Sequence, residues 1–175
     1  MSTPIKTLLT FLAIVLIILL LFAKGPFLIV VFFIATVLIA SLINISRIRI
    51  IGIEFATFIG VVTAIAYDPL IGAILGAVLV TMHMIVANYI GPYIVWVVPS
   101  YAIGSYFAGI IGSTGNVAIT GLYAVLLING ISMFFTVIFY RRNIGAYIPY
   151  LLTNVIINFF MFSVLGENTL ALLRA

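Results

Sequence analysis

The stretch EFATFIGVVTAIAYDPLIGAILGAVLVTMHMIVAN, residues 54–88, decides how this chain folds. Two apolar runs of helix length meet at the Asp68-Pro69 corner, and the second opens with Gly72 and Gly76 four residues apart. His83, the only histidine in the sequence, follows Gly76 by seven residues. At about 100° per residue, seven steps bring a side chain back to nearly the same helix face. That face is small at one end, where a neighbouring helix can approach, and polar in its middle.

Working outward, the rest of the chain shares this character. Of its 175 residues, 66% are hydrophobic and 6% charged, and the mean hydropathy is +1.48. A soluble domain averages about half apolar and a quarter charged residues. Seven Lys/Arg and three Asp/Glu cannot cover a globule surrounded by water, so lipid is the expected solvent. No polar stretch is long enough for a second domain, and residues 1–175 read as one transmembrane domain. The net charge is +4 and the pI about 9.6, yet the basic residues sit at the ends of apolar runs. Membrane lipid, not nucleic acid, is the partner this placement suits. There is no cysteine, which removes disulfides, thiol nucleophiles and Cys-ligated metals. One histidine and three scattered carboxylates make no ligand set, so neither a metal nor another cofactor is expected.

The pattern predicts an all-α, polytopic helical bundle of seven spans, six core spans and an N-terminal one. These are Thr7–Ala23, Phe27–Ile45, Ile50–Tyr67, Leu70–Asn88, Tyr93–Ile111, Val117–Tyr140 and Tyr147–Leu165. Each has about the length needed to cross 30 Å of hydrocarbon. Thr7–Ala23 is long for a signal-peptide core and lacks a small-x-small cleavage pattern after it. Six spans is the alternative if that run is removed or lies in the interface. Gly25-Pro26 is expected to form a tight turn, Pro99 to kink its helix, and Gly166–Ala175 to fray on the membrane surface. Strict apolar–polar alternation, the mark of a β-barrel, is missing. Lys6, Arg47, Arg49, Arg141 and Arg142 fall on one side, and Lys24 and Arg174 on the other with Asp68 and Glu167. The positive-inside bias then places the N-terminus inside the cell membrane.

Lipid supplies no hydrophobic force between helices, so association needs close backbone approach and interhelical hydrogen bonds. Three seams of small residues fit that need: Ala56/Gly60/Ala64, Gly72/Gly76 and Gly104/Ala108/Gly112. Packing between neighbouring spans is the expected use, docking of a partner subunit the alternative. Polar groups at membrane depth must also find partners. His83 either bonds a backbone carbonyl or faces a water-lined cavity. Asn129 sits mid-span, and Asn154 and Asn158 share a face that Tyr147 and Met161 extend; such amides lock helices or line a pocket. Tyr101 and Tyr106 lie deep enough to stack on a flat ligand, while Trp96, Tyr89 and Tyr93 suit the interfacial belt. Glu54 is expected to snorkel to the surface and pair with Arg47 or Arg49, and Asp68 to cap the helix opening at Pro69. No Ser/His/acid constellation and no phosphate-cradling Gly-Lys loop occurs, so no enzyme is read here, and any use of ATP falls to a partner.

The block Ala66-Tyr67-Asp68-Pro69-Leu70-Ile71-Gly72-Ala73-Ile74-Leu75-Gly76-Ala77 resembles the helix-corner-helix signature of small membrane transporters. The group includes the substrate-binding S components of energy-coupling factor vitamin transporters and the related rod-shape protein MreD. The corner reads Asp-Pro where Gly-Pro is the family form, and Ala35 and Ala40 stand five apart where an Ala-x-x-x-Ala surface is typical. The resemblance implies a vitamin-like substrate and an energising partner module. Two readings follow. In one the bundle binds a small molecule through His83, Asn129, Asn154, Asn158 and Tyr101 or Tyr106. In the other it is a non-transporting scaffold or subunit of a larger membrane complex.

Overall fold

Six helices account for the regular structure of the computed structural model, which describes residues 24–46, 52–112, 115–141 and 144–174. They are α1 (Lys24–Ser46), α2 (Ala56–Ala66), α3 (Pro69–Val86), α4 (Ile94–Ile111), α5 (Val117–Phe139) and α6 (Ile144–Arg174). No strand occurs among the described residues. Five of the helices, all but α2, are long and apolar enough to cross a membrane, as a multi-pass integral membrane protein requires. Thr7–Ala23 lies outside the described residues, so the described chain gives five full-length helices and one short one in place of seven spans.

The ends of α3, α4 and α5, and the C-terminal end of α1, fall within three residues of their expected positions. Other expectations need correction. Gly25-Pro26 is not a turn; both residues are helical, within α1. The C-terminal tail does not fray: α6 continues as helix to Arg174. Leu170 and Leu173 are buried, the Tyr67 hydroxyl donates to the Leu173 carbonyl at 2.7 Å, and Arg174 Nη2 donates to the Ile65 carbonyl at 3.0 Å.

The largest departure concerns the run Ile50–Tyr67: of its described residues, 52–67, only Ala56–Ala66 are helical. Its neighbours fix its course. Gly52 N–H donates to Thr153 Oγ1 at 2.8 Å, the Phe58 and Phe162 rings lie 5.1 Å apart, and Tyr67 meets Leu173. The segment therefore runs parallel to α6, keeping level with it from Thr153 to Leu173. Twenty helical residues rise about 30 Å, and fifteen would rise only about 22 Å. The non-helical residues Gly52–Glu54, ahead of the N-cap Phe55, supply the difference. Backbone without helical hydrogen bonds is tolerated at such depth only when buried in protein, and Gly52 and Glu54 are buried.

All residues of α2 from Ala56 to Ile65 are buried, and α1, α3, α4, α5 and α6 surround it. The small-residue seams make this possible. A Cβ on Gly72 would lie 2.5 Å from Ala64 Cα, one on Gly60 3.0 Å from Gly76 Cα, and one on Gly76 2.7 Å from Ser105 Oγ. Gly104 is filled by Ile128, whose Cδ1 would be 2.8 Å from an added Cβ, and Gly112 by Ile65 and Thr120. Ala108 is fully buried. The three ridges thus close on one another and on α5, inside a single chain. At the corner, Asp68 Oδ1 accepts from Leu70 N–H at 2.7 Å and Ile71 N–H at 3.3 Å, the cap expected from Asp-Pro.

Candidate functional site

A cavity of about 270 Å³ lies between the C-terminal halves of α3 and α5 and the N-terminal ends of α4 and α6. Helical spacing brings its walls together. From α3 come Val80, His83 and Met84; from α4, Val97 and Tyr101, with Tyr93 one turn earlier. Ile128, Asn129, Ser132 and Thr136 form one face of α5, with Tyr140 just past its end, and Tyr147 and Tyr150 come from α6. Tyr89 is placed by the end of α3. Asn88 takes a left-handed backbone, φ 57°, while Tyr89 N–H bonds the Met84 carbonyl at 2.8 Å and Asn88 N–H the Ile85 carbonyl at 3.2 Å. This is the paired hydrogen-bond pattern that closes a helix through a left-handed residue. It turns the chain so that the Tyr89 ring lies 6.4 Å from that of His83.

Six of the fourteen lining residues are tyrosines, and none of the fourteen is Asp, Glu, Lys or Arg. Such a wall offers ring faces to an apolar plane and a few hydroxyl and amide groups to its edge, the usual make-up of a small-molecule site. Tyr147 and Tyr150 stack with centroids 5.9 Å apart. His83 is 3% exposed, and its Nδ1 has no hydrogen-bond partner among the described residues. A buried nitrogen left in this way costs about 1–3 kcal/mol. No cluster of three or more His, Cys, Asp or Glu suited to a metal occurs among the described residues.

Behind the α5 wall stands a second layer of polar groups, and its centre is Glu54. Its carboxylate accepts from Thr57 N–H at 2.8 Å and Thr57 Oγ1 at 2.5 Å, at the start of α2. It also accepts from Asn154 Nδ2 and Asn158 Nδ2, both at 3.2 Å. A helix N-terminus favours negative charge, and hydrogen bonds to a carboxylate are strong. Asn154 Nδ2 further donates to the Gly52 carbonyl at 2.9 Å, and its Oδ1 accepts from Asn129 Nδ2 at 2.9 Å. The non-helical residues before α2 are thereby tied through α6 to the cavity wall on α5.

Of the expected ligand residues, His83, Asn129 and Tyr101 meet at the cavity. Asn154 and Asn158 do not line it; they are buried against Glu54. Tyr106 points away on the outer face of α4, 46% exposed, because five residues from Tyr101 rotate a helical side chain by about 140°. Glu54 does not snorkel: it is 1% exposed and held by neutral donors, while Arg47 and Arg49 lie outside the described residues. Tyr89 and Tyr93, expected in the interfacial belt, line the cavity, as do Ser132, Thr136, Tyr140, Tyr147 and Tyr150. Ser132 and Thr136 were findable, since they continue the face of Asn129 three and seven residues on. The tyrosines at span ends were not, because an aromatic belt produces the same pattern. Comparison with protein-family models, curated proteins and solved structures finds no match to this chain.

Proposed function

We propose that this protein is a small-molecule-binding component of a membrane transport system, holding its ligand in the cavity between α3, α4, α5 and α6. The observation that carries the reading is the convergence of His83, Tyr101 and Asn129 from three helices on one tyrosine-lined space. The resemblance of residues 66–77 to the S components of vitamin transporters supports a vitamin-like ligand. Energy comes from a partner subunit or an ion gradient, since no nucleotide-binding loop occurs in the sequence. The scaffold reading relied on small-residue ridges available to other proteins. Here Gly60, Gly72, Gly76, Gly104, Ala108 and Gly112 are filled by the chain itself, which favours the ligand reading.

Ligand-dependent thermal stabilisation of the purified protein in detergent tests it. A ligand at one hundred times its Kd adds about 2.7 kcal/mol, about 5–10 °C in a chain of this size. His83→Ala is expected to remove that gain. A broad screen of metabolites producing no shift would sink the proposal.

A further inference from the structure

Where the protons of the α5 wall already go determines what that wall can offer a ligand. A backbone carbonyl only accepts, so the Gly52 carbonyl fixes which end of the Asn154 amide faces it. Both Asn154 N–H groups are committed, to Gly52 and Glu54, and its Oδ1 faces Asn129. The Asn129 amide is fixed in the same way. One N–H goes to Asn154 Oδ1 at 2.9 Å and the other to the Val125 carbonyl at 3.0 Å. Oδ1 is the polar atom Asn129 has left.

The next two turns repeat the result. Ser100 gives its single hydroxyl proton to the Val97 carbonyl at 2.7 Å, so in the 2.8 Å contact between Ser100 and Ser132 the donor is Ser132. Thr136 gives its proton to the Ser132 carbonyl at 2.7 Å. Asn129, Ser132 and Thr136 share one helix face and one cavity wall, and each has lone pairs but no proton to give.

We propose that α5 presents an acceptor-only stripe to the cavity, and that the ligand is a planar molecule, neutral or cationic, carrying N–H donors along one edge. This rests on the cavity being a ligand site. The tyrosine hydroxyls and His83 on the remaining walls can donate as well as accept, and the Tyr147 hydroxyl already bonds Ser132, so the discrimination between ligands rests on α5. Tyrosine faces attract cations as well as flat apolar rings, and no Lys or Arg among the described lining residues would neutralise an anion. A carboxylate, or an edge of ring nitrogens without hydrogens, would set lone pair against lone pair, which is how a site rejects a near-isostere. Glu54 and Asn154 touch no ligand in this arrangement. They are positioning residues that hold the Asn129 amide in one orientation.

Matched probes test the proposal on the full chain in detergent, by thermal shift and calorimetric titration. Benzamidine is paired with benzoate, and aniline with anisole. The donor-edged member of each pair is expected to bind about tenfold or more tighter than its isostere. Thr136→Val, which keeps the side-chain shape and removes one acceptor, should weaken the donor probes about threefold or more and leave the ligand-free Tm nearly unchanged. Equal or tighter binding of benzoate and anisole overturns the acceptor stripe while leaving the cavity a ligand site. Stabilisation by other metabolites but by neither donor probe has the same consequence. No stabilisation by any compound overturns both.

Discussion

At the scale of single residues, the departure of most consequence is Glu54. A carboxylate a few positions inside an apolar run reads as one that reaches the headgroups, and composition offers nothing against that reading. What reverses it is two amides a hundred residues later in the chain, Asn154 and Asn158. Glu54→Ala leaves the Thr57 amide and both asparagines without their acceptor and is expected to lower stability by about 3 kcal/mol or more. Chemical unfolding in mixed micelles measures it. A Glu54→Ala/Asn154→Leu cycle should return a coupling of about 0.5–3 kcal/mol; strict additivity would show that the two side chains do not support each other. Asn88 makes a smaller, cleaner case. Its left-handed backbone tolerates glycine and disfavours a Cβ, so Asn88→Gly should be nearly neutral and Asn88→Ala should cost about 1 kcal/mol. Local chemistry of this kind, like the Asp68 cap, is legible in sequence because its partners lie within a few residues. The Glu54 network is not, because periodicity carries no information on which distant faces meet.

At the scale of elements, the runs that became α1, α3, α4 and α5 were legible, with their observed ends within two residues of expectation. Length and uniform apolarity suffice when lipid is the solvent. The same signal misread the stretch before α2. It reports that a segment is buried, not whether it is helical, and here protein in place of lipid surrounds it. The seams were legible as seams, though not as a lattice in which α2 and α3 touch backbone to backbone. Glycine substitutions separate these layers. Gly72→Ala would place a methyl within 2.5 Å of the Ala64 backbone and is expected to cost about 1–3 kcal/mol by forcing α2 and α3 apart. Gly130→Ala, where an added Cβ meets nothing within 4 Å, should gain up to about 1 kcal/mol from helix propensity. Thermal unfolding of the two variants side by side checks the contrast; similar losses from both would mean that α2 and α3 are not in close contact.

At the scale of the whole molecule, the path of Gly52–Tyr67 governs the topology. If this half-stretched segment crosses the bilayer, Ser46 and Arg141 are separated by four crossings and lie on one face, with Asn168 on the other. The chain has no cysteine, so single cysteines at 46, 141 and 168 report without background. Positions 46 and 141 are expected to react with an impermeant maleimide from the same side; reaction from opposite sides would falsify the crossing. The charge bias further expects that side to be cytoplasmic, so the same experiment decides which way the cavity end of the bundle faces. Burial of a carboxylate against the last helix also bears on how the protein is made. Glu54 leaves the ribosome about a hundred residues before Asn154, a delay of about 5–20 s at ordinary translation rates. Throughout that interval an acidic, half-unwound hairpin must wait near the translocon without its receiving amides. A nascent chain truncated before the C-terminal helix should therefore be a degradation substrate, however hydrophobic the part already made.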